Sequence, residues 1–350
     1  MIENNLELGA AGYYRNRLPS KYLERLGHKV DTLPITEFNY DLVVFNRFYN
    51  ITFEYILNAC RQCNSKIVFE TDDLISDIET KNPFYYAKTQ NFHDSHINLL
   101  KESDLVTVTV PILKDEISKI TKKPISVLPN CLDFELWGKR LGNNKTLRIG
   151  YSGGTNHYTD FEFILDLIIE LQKKYDFTFV TLGIGHIPKI YEIMKEIDES
   201  DKPKTQFYWS MVRCLEKIKQ VKNYENTDFV SVMEYPKKMR DLNLDIGLAY
   251  IIDTKFNRCK SALKFYEYAA CNTVTLASNI PPYEGECNYT AKNKFRYWYS
   301  KLEQLITNQK IREMLTESQH DWVINNRDIS KNINLWEDAY LSVLPQKVGV

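Results

Sequence analysis

The sequence predicts an α/β fold with two domains, each a mainly parallel sheet flanked by helices, followed by a helical C-terminal segment. Short apolar runs of strand length alternate with segments of helical spacing along the chain. Such alternation favours parallel sheets, because each parallel crossover needs a helix-length connection. The alternation starts again after a polar segment at 141–145, and a chain of 350 residues is long enough for two cores.

The first block extends from the N-terminus to residue 142. Its predicted strands are Leu42–Phe45, Lys66–Glu70, Leu105–Val110 and Ile125–Pro129. Helical spacing lies between them at Tyr22–Leu26, Glu54–Cys63 and Ile112–Ile120. We predict that residues 1–142 form an N-terminal domain, which the last helix of the chain, at 329–346, completes.

The second block, residues 146–328, repeats the pattern. Its predicted strands are Leu147–Tyr151, Phe177–Leu182, Ile246–Ile252 and Thr273–Ala277. Phe161–Lys174 has the apolar periodicity of an amphipathic helix. The stretch from 186 to 226 shows no pattern that assigns it, and helical spacing returns from Lys301 to the C-terminus, with Asp328 as a helix cap.

Composition excludes several classes of protein. The net charge of −1 gives no general attraction to nucleic acid, and no apolar run approaches the roughly 18 residues of a membrane span. The N-terminus lacks the apolar core of a signal peptide, and the seven cysteines show no disulfide or zinc pattern, so we expect a cytoplasmic protein. Cys60 and Cys63 form one C-x-x-C pair, which we interpret as helix residues.

The segment Lys260–Asn272 is the most informative feature, because it places two lysines and a glutamate after an apolar strand. Helix N-termini attract phosphate, and Lys260 and Lys264 are one helical turn apart. Glu267, a short turn further on, can accept hydrogen bonds from a ribose diol. The pattern therefore indicates a site for a nucleotide diphosphate sugar, although two exposed lysines and a surface ion pair of Glu267 would give the same spacing.

Several segments resemble glycosyltransferase family 4, whose members have the GT-B fold of two Rossmann-like domains. The segments that carry the resemblance are Gly9–Val30, Glu70–Leu74, Ser103–Asp133, Ile149–Asp160 and Phe256–Asn272. The resemblance implies a retaining glycosyltransferase that uses a nucleotide-sugar donor with no further cofactor and no metal. It implies a glycan, lipid-linked or protein acceptor, with no nucleic acid partner, and leaves open a peripheral contact at the inner face of a membrane.

The resemblance also suggests roles for further residues. The family has a first glutamate where this chain has Cys259, so sugar contacts pass to Asn257 or to backbone amides; Ser261 lies in the same segment. The glycine loops at Gly9 and Gly12 with Arg15, and at Gly153, Gly154 and Thr155, would let the backbone approach a phosphate or sugar. The first of these loops has no convincing strand before it.

Asp72 and Asp73 end a predicted strand, where open α/β sheets bind ligands. They would bind acceptor hydroxyls or act as a base, although a helix N-cap is an equal alternative and a metal pair a weaker one. His93, His96 and His157 are candidates for a histidine near the sugar, yet each is interpreted first as structural. Two other functions stay open: a non-catalytic nucleotide-binding protein of the same fold, and an epimerase.

Overall fold

The computed structural model describes residues 2–3, 9–32, 39–46, 53–78, 90–142, 144–196 and 206–345. Within these ranges the strands form two sheets, one of five strands and one of six. Every strand pair in both sheets is parallel. Two parallel sheets flanked by helices confirm the predicted fold class.

The first sheet has the strand order β1-β2-β3-β4-β5. Its strands are β1 (Ile2–Glu3), β2 (Leu42–Asn46), β3 (Lys66–Thr71), β4 (Leu105–Val108) and β5 (Ile125–Val127). β2, β3 and β4 are almost wholly buried, as expected for parallel strands covered on both faces. β1 corrects the expectation that no strand precedes Gly9, because Ile2 and Glu3 pair with Phe45 and Asn46.

The second sheet has the order β11-β10-β9-β6-β7-β8. Its strands are β6 (Arg148–Gly153), β7 (Thr178–Gly183), β8 (Tyr224–Thr227), β9 (Ile246–Ala249), β10 (Val274–Ser278) and β11 (Thr290–Ala291). β6 lies between β9 and β7, so the chain reverses its direction of strand addition beside β6. Ligands of open α/β sheets bind at such a point, at the carboxyl ends of the strands.

Fourteen α-helical segments lie in the described part of the chain. The first half contains α1 (Ala10–Gly12), α2 (Leu18–Arg25), α3 (Phe53–Gln62), α4 (Gln90–Glu102) and α5 (Pro111–Ile117). The second half contains α6 (Tyr158–Leu171), α7 (Ile187–Glu196), α8 (Gln206–Ile218), α9 (Tyr235–Asp241), α10 (Lys255–Arg258), α11 (Leu263–Ala270), α12 (Phe295–Thr307), α13 (Gln309–Asn326) and α14 (Ile329–Leu341). A π-helical turn, Tyr13–Arg17, joins α1 to α2, and Ile75–Asp77 and Thr155–His157 are 3₁₀ turns.

The stretch at 186–226, which the sequence left unassigned, supplies two helices and the edge strand β8. α8 packs on α6 through Phe207, Met211 and Cys214, all of which are buried. β8 is short and polar, which is typical of a sheet edge that must not pair further. Its polarity explains why an apolar run did not reveal it.

The last helix returns to the first sheet. α14 packs against α2, and Trp336 and Ile333 join Tyr14 and Leu18 in one buried cluster. Backbone hydrogen bonds connect Leu132 to the start of α14, at 2.7 Å and 3.0 Å. The assignment of residues 329–346 to the N-terminal domain and the boundary at 141–145 both stay predictions.

Candidate nucleotide-sugar site

A cavity of about 510 Å³ lies between the two sheets, at the carboxyl ends of their strands. Ser152 and Gly153 at the end of β6, Gly183 at the end of β7, and Asp72 just after β3 all line it. The predicted site residues that line it are Gly9, Arg15, Asp72, Asp73, Gly153, Gly154, Lys260, Ser261, Lys264 and Glu267. This cavity, called the cleft below, has the volume typical of a small-molecule site.

Lys264 supplies a buried positive charge to the cleft. It lies in the first turn of α11, whose residues Phe265, Tyr266, Ala269 and Ala270 pack inward. Its Nζ is buried, has no hydrogen-bond partner among the described residues, and lies 4.4 Å from the centre of the Tyr151 ring. Burial lowers the pKa of Lys264 to about 8, despite the opposing charges of Asp160 and Glu267. A buried ammonium group with unused donors is suited to an anionic ligand, because a protein rarely leaves such a group unpaired.

Lys260 lies in the turn before α11 and faces the first sheet. Its Nζ is 3.8 Å from Asp73 Oδ1 and 4.8 Å from the centre of the Phe256 ring. The ion pair connects a side chain of the second half of the chain with one that follows β3. Lys260 and Lys264 therefore approach the cleft from one side, with Asp73 opposite them.

Glu267 is buried and makes none of the surface ion pairs that its spacing allowed. The Tyr14 hydroxyl donates to Oε1 at 2.9 Å, and the Tyr235 hydroxyl donates to Oε2 at 3.1 Å. Burial raises the pKa of Glu267 to about 7, while the two phenol hydrogen bonds and Lys264 oppose the increase. Each carboxylate oxygen thus accepts one hydroxyl, the arrangement that the two hydroxyls of a ribose would need.

Sequence reasoning missed both tyrosines that hold Glu267. Tyr14 comes from the first half of the chain, in the π-helical turn, whereas Tyr235 begins α9 in the second half. The Tyr235 hydroxyl oxygen is also 3.2 Å from Ser152 Oγ, and the Tyr268 hydroxyl accepts the Ser152 N–H at 2.8 Å. No spacing rule joins positions 14, 235 and 267, so only the tertiary fold reveals the cluster.

Solved structures share this architecture. A glycosyltransferase from Rickettsia africae ESF-5 matches with a TM-score of 0.67 at 13% identity, covering 99% of this chain and 98% of that one. Sucrose-phosphate synthase from Thermosynechococcus elongatus matches with a TM-score of 0.62 at 10% identity, covering 87% and 74%. A TarM mutant from S. aureus, solved with fondaparinux, alpha-GlcNAc-glycerol and UDP, matches at 0.60 and 11% identity, covering 92% and 58%.

The chain has the GT-B fold. At these identities the likeness establishes the architecture alone, and the chain spans little more than half of the TarM chain. No protein-family model matches the sequence, and no curated protein matches it. The cleft therefore lies where the two sheets of a GT-B fold face each other, and its chemistry has to be argued from its own residues.

Arg15 lies at the floor of the GT-B cleft and is already bonded to protein groups. Its guanidinium donates to both oxygens of Glu70, at 2.8 Å and 3.0 Å, and to the Leu128 carbonyl at 2.7 Å. A further N–H donates to Asn130 Oδ1 at 3.0 Å, and the Asn130 amide donates to Ser261 Oγ at 2.8 Å. Because most of its donors are used, we interpret Arg15 as a support that fixes Asn130 and, through it, Ser261.

Three predicted residues do not line the cleft. Gly12 is the last residue of α1, and Thr155 lies in the 3₁₀ turn after Gly154. The Asn257 amide donates to the Ile252 carbonyl at 2.9 Å, which closes the turn before α10. Nothing in this geometry brings Asn257 to a sugar, so its predicted contact has no support from the structure.

Two of the candidate histidines lie away from the cleft, and one lines it. His96 is fully buried on α4, edge-on to Phe69 at 5.4 Å, and His93 lies on the same helix. His157 lines the cleft and is 2.7 Å from Asp160 Oδ2 through its Nδ1. The sequence offered His157 only as one of three candidates, because each histidine was interpreted first as structural.

Two negative findings concern the described ranges only. They contain no group of three or more His, Cys, Asp or Glu side chains that could hold a metal ion. None of their helices is both long and apolar enough to cross a membrane.

Proposed function

We propose that the protein is a glycosyltransferase that moves a sugar from a nucleotide diphosphate donor to a hydroxyl group of an acceptor. The observation that carries this proposal is the buried Nζ of Lys264, which has no hydrogen-bond partner in the described part of the chain and lies in a cleft with Lys260 and Glu267. The fold supports it, because the GT-B structures reported above include glycosyltransferases and one was solved with UDP. UDP is therefore the first nucleotide to test.

Glycosyl transfer breaks the bond between the anomeric carbon and the diphosphate, so negative charge develops on the leaving oxygen. Preorganised positive groups in a site that excludes water are effective at stabilising such charge. Lys264 and Lys260 would supply this positive charge without a metal ion. The ribose hydroxyls would replace Tyr14 and Tyr235 as hydrogen-bond donors to Glu267. Retention of configuration rests on the resemblance to glycosyltransferase family 4.

The acceptor would enter on the side of the first sheet. Asp72 and Asp73 line this side of the cleft, and Asp73 is the partner of Lys260. Their carboxylates would bind acceptor hydroxyls and orient one of them toward the anomeric carbon. The acceptor class is a glycan, a lipid-linked sugar or a protein, reached in the cytoplasm or at the inner face of a membrane.

A donor screen tests the proposal. UDP, GDP and ADP sugars are compared by thermal shift, because a ligand that binds only the native state raises its melting temperature. Donors that bind are then incubated with acceptor mixtures, and free nucleotide and glycosylated product are measured, with EDTA present in one series. We expect transfer that survives EDTA and a product whose anomeric configuration, read by NMR, matches the donor.

Lys264→Met is the decisive variant, since methionine keeps the apolar stem and removes the charge. Lys310→Met, an exposed lysine on α13, is the matched control. We expect turnover to be lost in the first and kept in the second. Undiminished transfer by Lys264→Met would refute the assigned site, and nucleotide binding with no donor consumed under any acceptor would identify a binding protein instead. Interconversion of nucleotide sugars without acceptor would identify an epimerase.

A further inference from the structure

His157 and Asp160 form a polar pair in the cleft that the proposed reaction has not yet used. His157 ends the 3₁₀ turn after β6, and Asp160 lies in the first turn of α6. The imidazole Nδ1 is 2.7 Å from Asp160 Oδ2, and Asp160 Oδ1 accepts the Ile252 N–H at 2.8 Å. Because a carboxylate fixed in this way only accepts, Nδ1 carries the proton and Nε2 is the nitrogen left for a ligand.

The charges around the ring explain its protonation. Burial and, to a smaller extent, the charges of Lys264 and Lys260 together lower the pKa of His157 to about 4, although Asp160 opposes the decrease. The imidazole is therefore neutral near pH 7, with the lone pair of Nε2 unpartnered among the described residues. The position is close to two ammonium groups that the proposed function assigns to the diphosphate.

We propose that His157 becomes a third cationic ligand of the donor diphosphate by taking up one proton from solvent as the nucleotide enters. The inference rests on the proposed function. The arriving anion replaces a positive local potential with a negative one, so the imidazolium becomes the favoured form. Nε2–H then donates to a phosphate oxygen, while Nδ1–H stays on Asp160 and the donor loses no atom.

A titrating residue has an advantage at this position over a third lysine. Lys260 and Lys264 already repel each other, and another permanent charge beside them would add to that repulsion. A histidine carries its charge only when the anion is present. Asp160 acts as a positioning residue, because it sets the tautomer and the ring orientation before the ligand arrives.

Calorimetry of the full chain tests this inference. UDP, GDP and ADP are titrated into the protein at pH 7 in two buffers of different ionisation enthalpy, so that proton uptake on binding can be separated from the heat of binding. The same titrations are made with His157→Gln, whose amide keeps a hydrogen bond but cannot take a proton. His28→Gln, a partly exposed histidine paired with Glu337 outside the cleft, is the control.

Glu267 and Lys264 also line the cleft and can exchange protons when nucleotide binds. Both are present in wild type and in His157→Gln, so their contributions cancel in the difference between the two proteins. We expect wild type to take up close to one proton more than the variant. Over pH 8 to 6 its affinity should gain up to about tenfold per pH unit relative to the variant. His28→Gln should behave as wild type.

Equal proton uptake and equal pH dependence in wild type and His157→Gln would overturn the inference while leaving the nucleotide site intact. Failure of all three nucleotides to bind wild type would instead reject the proposed function, and this inference with it. Should His157→Gln not fold, NMR of the imidazole nitrogens in wild type gives the answer. His157 must be neutral at pH 7 without nucleotide and an imidazolium with it, and a ring that stays neutral refutes the proposal.

Discussion

Replacing Lys264 with methionine should make the protein more stable while it abolishes nucleotide binding. The pKa of Lys264 falls from its usual 10.5 to about 8 on folding, mainly because of burial. Each pKa unit corresponds to ~1.36 kcal/mol, so the charged form is destabilised by about 3 kcal/mol in the folded protein. Below pH 8 the Lys264 side chain is charged in both the folded and the unfolded state, so the whole destabilisation of about 3 kcal/mol applies at pH 7.

The expected change in melting temperature follows from the size of the chain. Unfolding entropies of ~2.1 cal/mol/K per residue mean that 1 kcal/mol shifts a chain of this length by roughly 1.4 °C. Lys264→Met removes the charge and keeps the apolar stem, so its melting temperature at pH 7 should be higher by up to about 4 °C. Above pH 10.5 lysine is neutral in both states, and the difference should vanish.

Differential scanning fluorimetry with and without UDP measures both effects. Wild type and the surface control Lys310→Met should melt alike and gain stability with UDP, whereas Lys264→Met should start higher and gain none. A Lys264→Met protein that melts below wild type would show that groups of the protein stabilise the ammonium group when no nucleotide is bound. That result would refute the inference that the Lys264 ammonium group serves to bind an anionic ligand.

Three further predictions concern the supports of the cleft. Arg15→Met should destabilise the protein by about 3–5 kcal/mol, measured as a lower melting temperature, because Glu70 would keep a buried charge without its partner; an unchanged melting temperature would contradict this. Tyr14→Phe should raise nucleotide affinity by up to about tenfold in calorimetry, since Tyr14 no longer competes with ribose for Glu267, and weaker binding would assign Tyr14 to holding the carboxylate. Glu267→Gln should stabilise the protein at pH 8 but not at pH 4. Because the pKa of Glu267 is raised to about 7 in the folded protein, the buried carboxyl group is protonated at pH 4 and becomes a destabilising charged group as pH rises through 7. A difference in melting temperature that does not depend on pH would contradict this prediction.

The sequence predicted the elements whose signal is local. Apolar runs located β2, β3 and β4 within a few residues, since these strands are buried on both faces. β4 ends at Val108, two residues before the end of the predicted strand Leu105–Val110, because Val110 is the N-cap of the helix that Pro111 begins. β1 and β8 were missed because a two-residue strand and a polar edge strand leave no apolar run.

In the candidate site too, the sequence predicted the residues of one local segment and missed the contacts between distant segments. Lys260, Lys264 and Glu267 come from one continuous segment, so spacing alone placed them together. The tyrosines that donate to Glu267 come from distant parts of the chain. The hydrogen bond from the Asn130 amide to Ser261 likewise joins residues that are 131 positions apart. Tertiary packing creates these contacts, and neither periodicity nor spacing contains them.

The packing of Cys259 explains how this chain can lack the first glutamate of the glycosyltransferase family 4 motif and still have the proposed activity. Cys259 and Phe256 are buried in the apolar cluster of the first sheet, together with Val108 and Ile117. Lys255 adds ion pairs to Asp77 at 2.8 Å and to Glu116 at 3.2 Å, so α10 and the turn after it join the second half of the chain to the first. A carboxylate at position 259 would be buried in that cluster at a high cost in free energy. The packing therefore selects an apolar residue there, and under the proposed function the sugar contacts would fall to groups that do line the cleft, such as the backbone of Gly153 and Gly154.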